Sequence, residues 1–298
     1  MRVAIIGGTG FVGGYLIDAL LQANHEVVTL LRHGSEGKLN RSDAVETIAG
    51  DIGEKEALAA LMQGADAAIY NVGLLREFPS RGITFEAAQY QGVVDTVAAA
   101  REAGTRRMLL MSAIGVKDPG TKYQATKFRA EQHALASDLD VTVLRPSVIF
   151  GDPRGTMEFA TQLYQDMVRP PLPAMAFPGV QMSPVYCRDV ADAFVAALGD
   201  DTTIGKTIEL AGPEVLTWRD ILERIAAAVD RTKFIVPMPL VFMRVAATLF
   251  DWLPFFPVTR DQLTMLAEGN TGSATALESL IGRAAQPLDT ESLAYLQR

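Results

Sequence analysis

The chain has 298 residues, 49% hydrophobic and 21% charged, a globular composition that excludes collagenous, fibrous and disordered classes. Its 27 Lys and Arg against 35 Asp and Glu give a net charge of -8, which repels a phosphate backbone and argues against a nucleic-acid partner. One cysteine, Cys187, allows no internal disulfide and fits a reducing, cytoplasmic setting. Three histidines, His25, His33 and His133, lack ligand spacing, so no metal site is expected.

Apolar strand-like runs alternate with helical periods through the first half. They are Val3 to Ile6, a helix after Phe11, Glu26 to Leu31, Ala44 to Ala49, a helix around Glu54 to Met62, and Ala67 to Tyr70. The rhythm continues with a helix near Phe85 to Glu102, a strand from Arg107 to Ser112, a helix from Thr121, and a strand from Val141 to Leu144. That alternation predicts βαβ units and a doubly wound α/β fold with a parallel sheet. After Arg145-Pro146 proline becomes frequent and short strands mix with helices near Arg188 to Leu198 and Thr217 to Val229. The expected organisation is a nucleotide-binding domain over 1–150 and a smaller, interleaved, mixed lobe over 151–298. The stretch Gly269 to Thr275 is small and polar enough to be mobile. No targeting segment is read at Met1 to Ile6. Phe234 to Val258 is apolar, but Arg244, Asp251 and four prolines interrupt it short of the roughly 20 residues of a membrane span.

Glycines 7, 10 and 13 fall between the first strand and the first helix. There Gly7 permits a tight turn, Gly10 lets backbone approach a pyrophosphate, and Gly13 allows close helix packing. Thr9, Phe11 and Val12 share that phosphate-binding stretch, so the first domain reads as a Rossmann fold. Such sites usually carry an acid for the ribose at the end of the second strand; this chain has Arg32. A guanidinium there suits a 2′-phosphate and favours NADP(H) over NAD(H). The alternative leaves Arg32 in solvent, with Glu36 or Asp43 on the ribose.

Tyr123 and Lys127 lie four apart on a helical pattern and project from one face. A neighbouring ammonium stabilises a phenolate and should draw the tyrosine down from its ordinary value, making a proton donor for carbonyl reduction or an acceptor for alcohol oxidation.

Six ordered motifs now bear on kinship: Gly7-Gly-Thr-Gly-Phe-Val-Gly13, Gly50-Asp51-Ile52, Asn71-Val-Gly73, Tyr123-x-x-x-Lys127, Leu144 to Gly151, and Val185 to Phe194. Together they resemble the short-chain dehydrogenase/reductase superfamily in its extended and atypical branches. The sequences around Asn71, Met111-Ser-Ala-Ile-Gly115 and Tyr123 to Glu131 look most like the group containing the nucleotide-binding accessory subunit of respiratory complex I and its bacterial relatives. The resemblance implies that Asp51 and Ile52 contact adenine, Asn71 to Gly73 line the ribose, Lys127 holds ribose hydroxyls, and Pro146 to Val148 flank nicotinamide. It also implies a hydroxyl beyond the fifth strand to hold a substrate carbonyl. The chain offers Ser112, followed by Ala113, Ile114 and Gly115, and losing such a donor can reduce rate by orders of magnitude.

Three functions follow as expectations. The first is a reductase of an apolar carbonyl or quinone-like compound, with Tyr123, Lys127 and Ser112 as its catalytic set. The second is a non-catalytic NADP(H)-binding sensor or assembly module. The third, disfavoured because Arg154, Arg169 and Arg188 are the few basic residues available for a diphosphate, is a sugar-nucleotide epimerase or dehydratase. The helix read at Leu240 to Leu253 is apolar on nearly every face, so the 240–256 region must be covered by the lobe, by an apolar ligand, by a protein partner or by a membrane surface. Cys187 reads as a small buried hydrophobe, Asp189 as an anchor at a helix N-terminus, and Thr217 as a helix cap.

Overall fold

The computed structural model describes residues 1–35, 37, 39, 43–74, 76–243 and 260–297. Glu36 and all of the 240–256 region beyond Met243 lie outside the described residues.

The chain forms two compact units, Met1–Arg145 with Val190–Ile208, and Pro146–Asp189 with Glu209–Arg298. The first is built on a sheet whose leading strands are β1 (Arg2–Ile6), β2 (Glu26–Leu31), β3 (Glu46–Ala49), β4 (Ala67–Tyr70), β5 (Arg107–Met111) and β6 (Asp140–Pro146). A later strand, β11 (Thr207–Leu210), completes the order β11-β6-β5-β4-β1-β2-β3. Neighbours from β3 through to β6 pair in parallel, with Ile5 opposite Thr29 and Ile6 opposite Tyr70. The chain winds outward through β2 and β3, then returns across β1 to β4, so the order reverses between β1 and β4. In open α/β sheets that reversal opens a crevice at the carboxyl ends of the strands.

Strands buried on both faces must be apolar throughout, and Val3, Ala4, Ile5 and Ile6 are each 0% exposed. One face packs on α2 (Lys55–Met62), α3 (Gly92–Ala103) and α4 (Lys122–Leu135), through Leu58, Leu61, Val93, Val97, Ala130 and Ala134. On α1 (Phe11–Gln22), Tyr15, Leu16, Ile17 and Leu20 are buried. A wide π-turn, Glu86–Gln91, runs into α3, and there Tyr70 Oη donates to Ala88 O at 2.6 Å. Tyr70 Oη would lie 2.1 Å from a Cβ on Gly92, so only glycine fits that turn. Arg107 is buried at 7% exposure, and its guanidinium donates to Asp140 O, Ala197 O and the hydroxyls of Thr142 and Thr203. One side chain thereby satisfies the end of α6 (Cys187–Leu198) and the loop before β11.

Among the described residues, the second unit holds three short strand pairs. They join β7 (Ile149–Phe150) to β10 (Val185–Tyr186), β9 (Gln181–Met182) to β12 (Leu216–Thr217), and β8 (Ala174–Ala176) to β13 (Ile235–Pro237). Its core gathers Phe177, Trp218, Leu222 and Ile225 with Leu288, Leu293 and Leu296 from the chain's last residues. Thr217 caps α7 (Trp218–Ala228) through a full capping box with Asp220, as its spacing predicts. Asp189 does more than face a helix dipole: it is 1% exposed, accepts from Gln286 N–H at 2.7 Å and lies 2.6 Å from Arg283 Nη1. It ties down the C-terminal segment. The Gly269 to Thr275 stretch, mobile by composition, is pinned by backbone bonds from Asn270 to Gln181 and from Ser183 to Asn270, while Asn270 Oδ1 accepts from Val148 N–H at 2.8 Å. Small polar residues serve here as donors and acceptors for a neighbouring strand. No described helix is long and apolar enough to cross a membrane.

Candidate functional site

Each glycine of the loop after β1 has a different reason to be glycine. Gly7 takes φ +94°, and a Cβ there would lie 2.4 Å from Asn71 O, because the ends of β1 and β4 nearly touch. A Cβ on Gly13 would lie 2.2 Å from Gly7 O and 2.7 Å from Gly8 O, so α1 rests directly on the loop. A Cβ on Gly10 would meet only Gly7 O, at an ordinary 3.4 Å, so the fold itself tolerates a side chain there. That position is exposed at the start of α1. No side chain caps this helix and no acid sits in its first turn. A bare, positively polarised helix end beside small residues is suited to an anion. The cradle therefore fits a dinucleotide pyrophosphate, held by the Gly7 to Gly13 backbone with Thr9, Phe11 and Val12 beside it.

Farther along the carboxyl edge, Asn71 continues β4, with its N–H bonded to Ile6 O and its amide donating to Gly7 O at 3.3 Å. Gly73 is exposed. Arg32 and Asp51 leave β2 and β3 side by side, with Arg32 Nε 3.9 Å from Asp51 Oδ2. Both side chains are about half exposed, so the pair is screened and adds little to stability. Ile52 packs against the core beside them. The first unit thus brings together the glycine loop, Arg32, Asp51, Ile52, Asn71 and Gly73. Pro146 and Val148 belong to the second unit, where Val148 N–H is taken by Asn270.

Tyr123 and Lys127 lie on α4, whose start is fixed by a capping box between Thr121 and Gln124. Tyr123 packs edge-on against Phe85, with ring centroids 5.7 Å apart. Lys127 is 6% exposed; its ammonium donates to Met111 O at 3.2 Å and stands 5.8 Å from the Tyr123 ring centre. The ammonium lies over the ring, and burial holds the Tyr123 phenol above its ordinary value. The drawn-down tyrosine expected from spacing alone is thus not seen, since desolvation outweighs the neighbouring charge. Burial also brings Lys127 down to about 8, against an upward pull from Glu131.

Ser112 is 5% exposed and its hydroxyl has no hydrogen-bond partner among the described residues. It lines a small pocket of about 10 Å³ with Lys127, Tyr70, Gln89 and Met111, about the space of one water molecule. Its hydroxyl therefore lies at the end of β5 on the same small pocket as Lys127.

Spacing around Tyr123 and Lys127 did not single out Glu131 or Arg145. Glu131 is 1% exposed, and Arg145 grips both its oxygens. The continuation of the Tyr123-Lys127 interval by four more residues is the signal that points to Glu131. Gln89 was missed as well: its amide bridges Leu74 O and the Thr126 hydroxyl beneath α4. No sequence interval announces that contact.

The parallel sheet, the order reversal and the glycine cradle are those of an NAD(P)H-binding Rossmann protein. The family model described as NAD(P)H-binding matches residues 7–201, and the chain belongs to that family. Its relatives include the "NADH dehydrogenase [ubiquinone] 1 alpha subcomplex subunit 9, mitochondrial" of Arabidopsis thaliana, 28% identical over 294 residues, covering 92% of this chain and 70% of that one. The "Ceramide reductase" of Caulobacter vibrioides is 28% identical over 252 residues, covering 84% and 77%. Among solved structures, gox2253 superposes with a TM-score of 0.78 at 20% identity, over 99% of this chain and 96% of that one. MoeE5 in complex with UDP-glucose and NAD gives 0.73 at 16%, over 100% and 97%. At such identities these structures establish the shared fold. The family match and the curated relatives are consistent with the atypical short-chain dehydrogenase/reductase branch that the motifs resemble.

Proposed function

We propose that this protein is an NADP(H)-preferring oxidoreductase that reduces an apolar carbonyl or quinone-like compound. The observation that carries the reading is the placement of Tyr123 and a buried Lys127 on α4 in the unit that also holds the glycine cradle. Bound NADPH would supply the hydride. Tyr123 would deliver the proton to the substrate oxygen, and the Lys127 ammonium would hold ribose hydroxyls. Arg32, exposed at the end of β2, is the group offered to a 2′-phosphate; NAD(H) binding would lack that contact. The apolar substrate class is supported by the printed name of the ceramide reductase relative and by the apolar 240–256 sequence, which would meet the substrate, a protein partner or a membrane surface. A cytoplasmic setting agrees with the single buried cysteine.

A second reading, a non-catalytic NADP(H)-binding sensor or assembly module, draws on a specific observation. The Ser112 hydroxyl is buried and Ala113 follows it, an arrangement that would leave a substrate carbonyl without its usual hydroxyl. The complex I subunits among the relatives bear on the same reading. The deciding experiment denatures the purified protein, identifies released small molecules by mass spectrometry, and then follows NADPH oxidation with ceramide-like ketones and short-chain quinones. Turnover that falls about 100-fold in Tyr123→Phe while NADPH affinity persists supports the oxidoreductase. Bound NADP(H) with no turnover, in unsubstituted protein and Tyr123→Phe alike, replaces it with the module.

A further inference from the structure

Tyr123, Lys127 and Glu131 succeed one another at intervals of four along α4, which stacks them on one face of the helix. Lys127 and Glu131 are both buried, at 6% and 1% exposure. A buried ammonium readily gives up its proton unless an opposite charge stands near. Here the opposite charge is Glu131, one helical turn away. Its carboxylate is taken from the other side by Arg145 of β6, with Nε to Oε1 at 2.9 Å and Nη2 to Oε2 at 2.5 Å. A two-pronged bond of this kind fixes both oxygens. Glu131 can then act on Lys127 through space but cannot swing over to pair with it.

We propose that Glu131, clamped by Arg145, is a positioning residue for Lys127: it sustains the ammonium's charge from one turn away, while Arg145 keeps the carboxylate from capturing the ammonium.

The surroundings of Lys127 support this division of labour. From its own helix it is faced by Tyr123 and Glu131, from β4 by Tyr70, and from the end of β5 by Ser112 and Met111 O. Burial holds both phenols in their neutral form. Glu131 is therefore the anion acting on Lys127, and Arg145 the second cation nearby. With Lys127 near 8, its charge at neutral pH depends on that balance. The proposal extends the reading in which the Lys127 ammonium serves the cofactor ribose.

The test follows Lys127 directly, by NMR of protein carrying ¹³Cε-lysine, with the signal assigned through Lys127→Arg. In unsubstituted protein the midpoint should fall near 8. In Glu131→Gln it should fall by about one pH unit or more, since the ammonium loses its anion. In Arg145→Met it should rise, because the released carboxylate can pair with the ammonium. Shifts of opposite sign are not produced by an ion pair that merely holds α4 against β6. NADPH affinity measured by fluorescence should weaken about fivefold in Glu131→Gln at pH 8, with its alkaline fall moved by the same interval as the NMR midpoint. Unchanged midpoints in both variants overturn the proposal. If either variant fails to fold, a midpoint above 10 in the unsubstituted protein overturns it as well, because such an ammonium needs no support. An NMR response of the expected signs, in a chain that binds no NADPH, retains the linkage between these residues and removes the cofactor reading instead.

Discussion

Replacing Lys127 with methionine should make the protein more stable and useless as a cofactor site. The two side chains have similar length, and the position is 6% exposed, so methionine fits without a void. The lysine gives up its proton at about 8 in the folded chain, against 10.5 ordinarily. The unfolded chain therefore binds more protons between those values, and this group's contribution to stability rises with pH across that window and is flat below it. At 1.36 kcal/mol per pH unit the full rise is about 3 kcal/mol, which is the penalty carried by the charged form at pH 7. Losing the bond to Met111 O returns about 1 kcal/mol of that, leaving a net gain near 2 kcal/mol for Lys127→Met. Urea unfolding of both proteins at pH 7, 8, 9 and 9.5 measures the difference. The variant's advantage should be largest at pH 7 and should shrink steadily above pH 8, while NADPH binding is lost throughout. A variant less stable than the parent at pH 7, with a gap that does not change with pH, would refute the reasoning that Lys127 is held charged against its environment.

Gly10→Val should abolish NADPH binding with native circular dichroism, because a Cβ there meets only one protein atom at ordinary contact distance. Gly13→Ala should instead lower the thermal midpoint, since its Cβ would fall 2.2 Å from Gly7 O. Arg32→Ala should weaken NADPH by roughly 1 to 3 kcal/mol in calorimetry and leave NADH nearly unchanged; equal losses would end the case for a 2′-phosphate contact. Arg107→Met should destabilise the protein by about 3 kcal/mol in urea unfolding, because it strips donors from the buried hydroxyls of Thr142 and Thr203 and from two carbonyls.

The order of strands and helices, the glycine loop and the Tyr123/Lys127 pair were legible in the sequence because each rests on local rules. Burial on two faces demands unbroken runs such as Val3 to Ile6, a helix start beside a phosphate demands small residues, and four residues make one helical turn. The tight turn at Gly7 and the close helix packing at Gly13 follow from that local logic, and the distances around both agree with it. What the sequence could not decide was where side chains on distant segments point. Spacing does not show that the Ser112 hydroxyl is buried and shares a small pocket with Lys127. Tyr123 reads as an activated phenol until burial beside Phe85 outweighs the ammonium four residues on. Asp189 reads as a helix-terminus anchor and Asn270 falls in a stretch read as mobile, yet these two and Arg145 each take their part from a partner 97, 122 or 14 positions away. Desolvation and long-range pairing depend on what the fold brings into contact, so they are properties of the tertiary structure alone.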